Sequence, residues 1–497
     1  MEVHKYVINK FIRTNKLELR EYQINLANQA MYDNCLIVLP TGLGKTSIAV
    51  HLIAQYLNVG KKIILFLAPT KVLVHQHYEF LKNTLTIFDV ALITGEDVIN
   101  RRKKLWQNSI ICATPEIVKN DLRRNIINPD DFGLIIFDEA HRTIGNYSYS
   151  YIASEAATCK DIKIIGMTAT LPSEKDKAKE IVNNLKVKKI AYRTEDSPDV
   201  KPYIQNTEIE WVLVKLSSEM QNVQKLLTMS LNDKYAKFKN HGIDLFAHKS
   251  LSKLLRMQSY ITHKNKFLTQ LYYTTIRIHY ALNIFESHGV TSFLRFCDRL
   301  KLKKFGVYDL FNDINFSRAM IIARSMQKNG FEHDKIIKLK NIVQKLNSKT
   351  IVFTSYRDSV EIIHKKLESM NIKNGFLIGK SGKTGLKQKM QIETVQKFKN
   401  NDYKILIATK VGEEGLDISE VNNVIFYDNV PSSIRFIQRK GRTGRKYAGK
   451  VFVLIAKNTI DEIYYRISKN KSVASKKMSA QISYILNRDT KSLDSYF

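Results

Sequence analysis

Leu39-Pro40-Thr41-Gly42-Leu43-Gly44-Lys45-Thr46 is the stretch from which the rest of the chain can be read. It follows the apolar run Cys35–Leu39 and opens into a helical pattern over Ser47–Leu57. A phosphate-binding loop requires this order of strand, glycine turn and helix. Glycines let successive backbone N–H groups turn toward phosphate oxygens, and the N-terminus of the following helix adds positive potential. Pro40 stands ahead of the turn, and Thr41-Gly42-Leu43-Gly44 carries it. In such a loop Lys45 reaches the β- and γ-phosphates and the Thr46 hydroxyl ligates Mg²⁺. ATP and Mg²⁺ are therefore the expected ligands.

Two further elements complete a hydrolytic set. Residues 138–141 read Asp-Glu-Ala-His after the apolar run Leu134–Phe137. At the end of a parallel strand and downstream of a phosphate loop, Asp138 is expected to hold Mg²⁺ through its water shell. Glu139 is expected to orient and deprotonate the attacking water. Gln438-Arg439-Lys440-Gly441-Arg442-Thr443-Gly444-Arg445 places Arg442 and Arg445 on one side of a helical turn. Arginines brought to a γ-phosphate stabilise transition-state charge and raise hydrolysis by ~10³–10⁵. His141 and Gln438 are counted with this catalytic set.

Outward from the loop, short apolar strands alternate with amphipathic helical stretches up to about residue 200. The strand candidates are Cys35–Leu39, Lys62–Ala68, Val90–Ile93, Ile110–Ala113, Leu134–Asp138 and Lys163–Met167. They lack polar alternation, as strands covered by helices on both faces do. Long helical patterns follow the strand-like run Ile209–Val214: Ser217–His241, Leu245–Glu286 and Val290–Lys328. Strands return at Thr350–Thr354, Gly375–Ile378, Lys404–Ala408, Asn423–Tyr427 and Lys450–Ile455. The expected fold is α/β, with two parallel-sheet domains and an all-helical insert between them. The expected boundaries are 1–202, 203–333, 334–468 and a basic tail over 469–497.

Composition narrows the partner. The 497 residues carry 79 Lys plus Arg against 47 Asp plus Glu, a formal net charge of +32. With 44% hydrophobic residues this is a folded chain, so the charge points to a polyanion. Residues 201–340 hold 23 basic and 11 acidic residues, only slightly above the chain average, so the basic surface is broad. Lys234, Lys237, Lys239, Lys264, Lys266, Arg299, Lys301, Lys303 and Lys304 are the insert's candidate phosphate contacts. The longest apolar run, Ile63–Ala68, stops at Pro69, far short of a bilayer span. The four cysteines show no metal-ligand spacing. An intracellular protein without membrane attachment is expected.

These motifs together resemble a superfamily 2 helicase, with paired RecA-like domains and ATP in the cleft between them. The resemblance implies domain coupling by Thr168-Ala169-Thr170. It implies nucleic-acid contacts at Ala68-Pro69-Thr70-Lys71, Ala113-Thr114-Pro115-Glu116, Phe353-Thr354-Ser355-Tyr356 and Ala408-Thr409-Lys410. The contact residues are Thr70, Lys71, Thr114, Thr354, Ser355 and Thr409. It also implies adenine recognition by Arg20-Glu21-Tyr22-Gln23, through Arg20 and Gln23, and a ribose contact by Asp417 in Gly415-Leu416-Asp417. The wording of LPTGLGKT, Asp138–Tyr149 and Lys410–Arg445 is similar to archaeal Hef and its eukaryotic relative FANCM. That likeness implies a 3′-to-5′ helicase or translocase on forked or branched DNA, in replication-fork repair, within an archaeal cytosol. The related Dicer and RIG-I type offers an alternative, a double-stranded RNA translocase. A catalytically idle, clamp-tethered scaffold is a further alternative, and the intact Lys45, Asp138, Glu139, Arg442 and Arg445 argue against it. No nuclease motif follows Arg445, so no nuclease activity is expected of this chain.

The last residues, Thr490-Lys491-Ser492-Leu493-Asp494-Ser495-Tyr496-Phe497, place Leu493, Tyr496 and Phe497 on one side of a helical turn. This resembles a sliding-clamp (PCNA) binding peptide, with Thr490 where that motif usually has Gln. Deleting Leu493–Phe497 is expected to abolish clamp pull-down and to leave ATP hydrolysis unchanged. Undiminished clamp capture by the truncated protein would sink the assignment.

Overall fold

The computed structural model describes residues 5–59, 62–204, 207–245, 251–302, 308–379, 388–409, 421–428 and 449–488. Seven strands form the first sheet: β1 (Cys35–Val38), β2 (Ile63–Leu67), β3 (Val90–Ile93), β4 (Ile110–Ala113), β5 (Phe132–Asp138), β6 (Lys163–Thr168) and β7 (Lys189–Tyr192). Their order is β3-β4-β2-β5-β6-β1-β7, and every pairing is parallel. Alternate residues serve opposite faces. Cys35 and Ile37 lie in one hydrophobic core, while Leu36 and Val38 lie in another. Burial on both faces is why these strands read as unbroken apolar runs. β7 has no such run, since only Ile190 and Ala191 of its four residues are buried, and the periodicity did not reveal it.

The second sheet has six strands: β8 (Thr207–Val214), β9 (Thr350–Phe353), β10 (Asn374–Leu377), β11 (Ile405–Ala408), β12 (Asn423–Phe426) and β13 (Gly449–Ala456). Their order is β10-β11-β9-β12-β13-β8, again all parallel. Each sheet with its helices is a RecA-like lobe. β8 departs from the sequence reading, which put residues 203–333 together in the insert. It pairs with β13 in continuous register, from Thr207 opposite Gly449 to Val214 opposite Ala456. The chain thus enters the second lobe, leaves it to build the insert, and returns through the Asp334–Lys345 helix.

The insert is helical, led by Ser218–Asn240, Lys266–Lys301 and Ile314–Lys328 around one core. The sequence patterns break near residue 289, and the structure shows why. One helix runs from Lys266 to Lys301 through a kink at Gly289, whose φ of 83° and ψ of −173° belong to glycine. A Cβ there would stand 2.9 Å from the Cβ of His333. The His333 Nε2–H donates to Glu286 O at the kink (2.9 Å), and its Nδ1 accepts from Lys335 N (3.0 Å). Burial keeps this ring neutral, pushing its pKa down to about 3.

A buried ion pair joins insert and second lobe. Lys335 Nζ donates to Asp461 Oδ2 (2.7 Å) and to Tyr427 O (2.9 Å), and the Ser287 hydroxyl donates to Asp461 Oδ1 (2.9 Å). Both Lys335 and Asp461 are fully buried. Arg295 pairs with Glu361 (2.8 Å) and Arg299 with Asp358 (2.9 Å), adding exposed ties between the same bodies. Arg299 is therefore engaged within the protein, as is Lys234 with Asp313, two departures from the insert's candidate phosphate contacts. Lys303 and Lys304 lie outside the described residues.

Residues 469–488, expected as a basic helix leading into the tail, belong to the helix Ile460–Arg488, which crosses back to the first lobe. Ile482 is fully buried in that lobe's core, and the Ser483 hydroxyl donates to Ile190 O of β7 (3.3 Å). Replacing Lys335 by Ala leaves the buried Asp461 carboxylate without its cationic partner. It is expected to cost about 3–5 kcal/mol, read by calorimetry as a lower first melting transition. The double change Lys335→Met with Asp461→Leu is expected to recover most of that loss.

Candidate active site

Because every strand of a lobe runs the same way, each delivers its carboxyl end to one edge. In the first lobe that edge gathers the loop after β1, Asp138 at the end of β5 and Thr168 at the end of β6. β5, β6 and β1 are neighbours in the sheet, and Leu39 N donates to Thr168 O (3.0 Å). Sequence-distant motifs thus become adjacent.

The loop is built for phosphate. Gly42 and Gly44 have φ of 91° and 79°, and a Cβ on Gly44 would meet Gln23 Nε2 at 2.4 Å. The helix Lys45–Val59 begins directly behind it. Lys45 Nζ reaches back to Leu39 O (3.4 Å). Tyr22 braces the loop through a hydrogen bond from its hydroxyl to Leu43 O (2.7 Å), and Gln23 Nε2 donates to the same oxygen (3.0 Å). Gln23 was expected to read a base, but here its amide supports the loop. Arg20 pairs with Glu18 (2.9 Å) and lies over the Tyr203 ring (5.2 Å).

The two acids sit side by side, Asp138 buried and Glu139 partly exposed with its Oε2 buried. His77, on the helix Lys71–Thr84, donates from Nε2 to Asp138 Oδ2 (2.9 Å). The Tyr149 hydroxyl donates to the backbone oxygen of Asp138 (2.8 Å). Glu139 adopts the left-handed conformation, φ 51° and ψ 48°, uncommon for a non-glycine residue. Its Oε2 lies 3.3 Å from His141 Nδ1, yet is buried and makes no hydrogen bond. The proton of His141 Nδ1 is directed instead to the Thr168 hydroxyl (3.1 Å), which donates in turn to Thr170 O (3.0 Å). Thr168, Ala169 and Thr170 are all buried at this junction.

Burial alone would raise both carboxyl pKa values. His77 and Lys45 outweigh it at Asp138, and His141 and Lys45 outweigh it at Glu139, so both stay below the ordinary carboxylate range. Both acids are thus held ionised. The donor set fits a nucleotide with its cation: hard oxygens from Asp138 and Thr46 for Mg²⁺, a cradle that any Cβ on Gly44 would fill, and an unpaired Glu139 oxygen.

The expected nucleic-acid contacts divide in two. Thr70 caps the Lys71–Thr84 helix through Leu73 N (3.3 Å), and Lys71 pairs with Glu96 (2.7 Å). Both are partly accessible. Thr114 precedes the Pro115–Arg123 helix and is buried. Thr354 and Ser355 both bond Asp428 at the end of β12, through the Thr354 hydroxyl (2.8 Å) and the Ser355 hydroxyl (3.0 Å). Thr354 is fully buried, so its hydroxyl serves the second lobe itself. The buried Thr409 hydroxyl donates to Leu377 O (3.3 Å). Gly415, Asp417, Gln438, Arg442, Arg445, Leu493, Tyr496 and Phe497 lie outside the described residues. His77 and Tyr149 were not singled out as site residues. Only three-dimensional pairing reveals them.

Residues 20–178 match the family described as DEAD/DEAH box helicase, and residues 334–447 match the helicase conserved C-terminal domain. Fold, site and both matches define a superfamily 2 helicase. The helicase domain of Pyrococcus furiosus Hef is 35% identical and superposes with a TM-score of 0.69, covering 92% of this chain and 100% of that one. A Methanocaldococcus jannaschii protein named as an ATP-dependent RNA helicase, MJ1505, is 36% identical over 97% of this chain and 63% of its own length. The ATP-dependent DNA helicase MPH1 of Pyricularia oryzae is 31% identical over 92% of this chain and 45% of its own. The chain therefore spans less than two thirds of either curated relative. It belongs to the Hef and FANCM kind of superfamily 2 helicases.

Replacing Glu139 by Gln removes the group assigned to take the proton of an attacking water. It is expected to lower ATP turnover by about 10²–10⁴ with nucleotide binding retained, while Lys45→Ala loses both. Wild-type turnover in either variant, measured by phosphate release, refutes the assignment.

Proposed function

We propose that this chain is an ATP-driven DNA helicase or translocase that moves 3′ to 5′ and acts on forked or branched DNA in fork repair and recombination. The observation that carries the ATP-driven part is the Glu139 carboxylate, held ionised beside Asp138, with an Oε2 atom that is buried and accepts no hydrogen bond. Mg²⁺, when bound with ATP, neutralises phosphate charge. The chain's own residues do the rest. The Gly42–Thr46 loop holds phosphates, with Thr46 and Asp138 facing the cation. Glu139 orients the water and takes its proton. His141 lies between Glu139 and Thr168, so a change at the water's base can reach the segment Thr168–Thr170. Arg442 and Arg445 are assigned to the γ-phosphate from the second lobe. Thr70 and Lys71 grip phosphates of one strand on the first lobe, with Ser355 assigned on the second.

The DNA assignment is supported by the names of the Hef and MPH1 relatives and by the broad charge of +32, suited to tracking a phosphate backbone. A sliding clamp is the proposed partner of the Leu493–Phe497 segment. The name of MJ1505 favours a second reading, RNA as the substrate. Stimulation of ATP turnover by a DNA fork, single-stranded DNA and double-stranded RNA separates the two. The fork is expected to stimulate most and a 3′ overhang to support displacement. Stronger stimulation by double-stranded RNA would overturn the DNA reading. Among the described residues, no helix is long and apolar enough to cross a membrane.

A further inference from the structure

Among the described residues, His77 is a buried polar side chain that contacts the carboxylate of Asp138 and that no motif accounts for. Its Nε2 lies 2.9 Å from Asp138 Oδ2, and both side chains are 8% exposed. The ring is not free to turn. It stacks on Phe66 of β2, with centroids 4.4 Å apart and planes at 27°. The backbone of Asp138 is held independently, by its strand pairing with β6 and by the Tyr149 hydroxyl. What remains to be fixed is the rotation of the carboxylate, and His77 is placed to fix it.

We propose that His77 is a positioning residue for the divalent cation: by holding Asp138 Oδ2 it sets the carboxylate in the orientation that the cation's water shell requires. A carboxylate that serves a metal through its hydration shell must present its oxygens in one orientation, and losing a group that hydrogen-bonds a metal ligand typically costs about 10–100-fold in metal affinity. As a positioning residue, His77 acts through the Asp138 carboxylate that it holds. This inference rests on reading Asp138 as the Mg²⁺-facing acid.

The test is a magnesium chloride titration of the binding of a fluorescent, non-hydrolysable ATP analogue, with full-length protein and no nucleic acid. His77→Leu is expected to raise the Mg²⁺ concentration at half-saturation by about 10–100-fold, with binding in EDTA unchanged. His77→Gln, which keeps an N–H donor on a side chain of similar reach, is expected to stay within about threefold of wild type. Phe66→Leu removes the stacking partner and leaves His77 in place. It is expected to shift the midpoint in the same direction by a smaller factor, and it carries the test if His77→Leu does not fold. An unchanged midpoint in a folded His77→Leu protein overturns the proposal. So does an equal loss of binding in EDTA, or a Gln variant as impaired as Leu. Asp138→Asn separates the two levels. If it leaves the midpoint unmoved, the reading of the cation site fails. If it shifts the midpoint and His77→Leu does not, only the role of His77 fails.

Discussion

Two adjacent carboxylates, the buried Asp138 and the largely enclosed Glu139, meet at the end of one strand, and the rest of the site follows from keeping both charged there. Removing a carboxylate from water costs several kcal/mol even after the protein relaxes. Two side by side add their mutual repulsion. The structure offsets this with nearby positive and donor groups drawn from three segments: Lys45 from the loop, His77 from the next helix but one, and His141 from the turn beyond the strand. The left-handed backbone at Glu139 divides the partners, so that Asp138 is served by His77 while Glu139 faces His141. A parallel sheet is what makes such convergence possible, because it brings the ends of β1, β5 and β6 to one edge.

The path of the chain explains why the insert is more than an appendage. β8 joins the second sheet before the insert begins, and the Asp334–Lys345 helix re-enters that lobe after it ends. Both of its connections are therefore anchored in one body. The buried Lys335–Asp461 pair, with Ser287 donating to it, fixes the junction chemically. Gly289 lets the long helix bend where His333 packs against it. Insert and second lobe thus share a buried, fully paired polar junction. The first lobe meets the second through smaller contacts, among them the crossing helix that ends in its core.

Much of this was legible in the residues. The central strands of both sheets are continuous Ile, Val, Leu and Phe runs, and burial on both faces makes that the only pattern such strands can carry. The loop Leu39–Thr46 and the acids Asp138 and Glu139 were readable because their chemistry demands a local order. β7 was not readable, since a four-residue strand with two half-buried ends has no periodicity to detect. β8 was seen as a strand but not placed, because sheet membership is a long-range property set by pairing with β13, more than two hundred residues away. His77 lies in the Lys71–Thr84 helix, which no motif singles out. Its partner is 61 residues distant, and no local pattern records such a pair. Gln23 carries the opposite lesson. Its identity suited base recognition, but its amide is held by Leu43 O in the loop.

The Lys71–Thr84 helix is where these threads meet. Thr70 caps its first turn, and Lys71 stands beside it at the edge assigned to nucleic acid. Val72, one residue further, packs against the core of the second lobe. His77, five residues beyond that, holds Asp138. At about 1.5 Å per residue, Val72 and His77 are roughly 7–8 Å apart along one stiff rod. A helix of this length does not bend over a single turn without a proline or a glycine pair, and its sequence, KVLVHQHYEFLKNT, has neither. A displacement of the second lobe that carries this helix with it as a rigid body carries His77 as well, beside the carboxylate it holds. The route does not pass through Thr168–Thr170, so the first lobe has two mechanical connections to its acids: one through the residues after β6, the other through the helix after β2. The second connects a single rigid element to the phosphate-contact edge, the partner lobe and the acid pair at once.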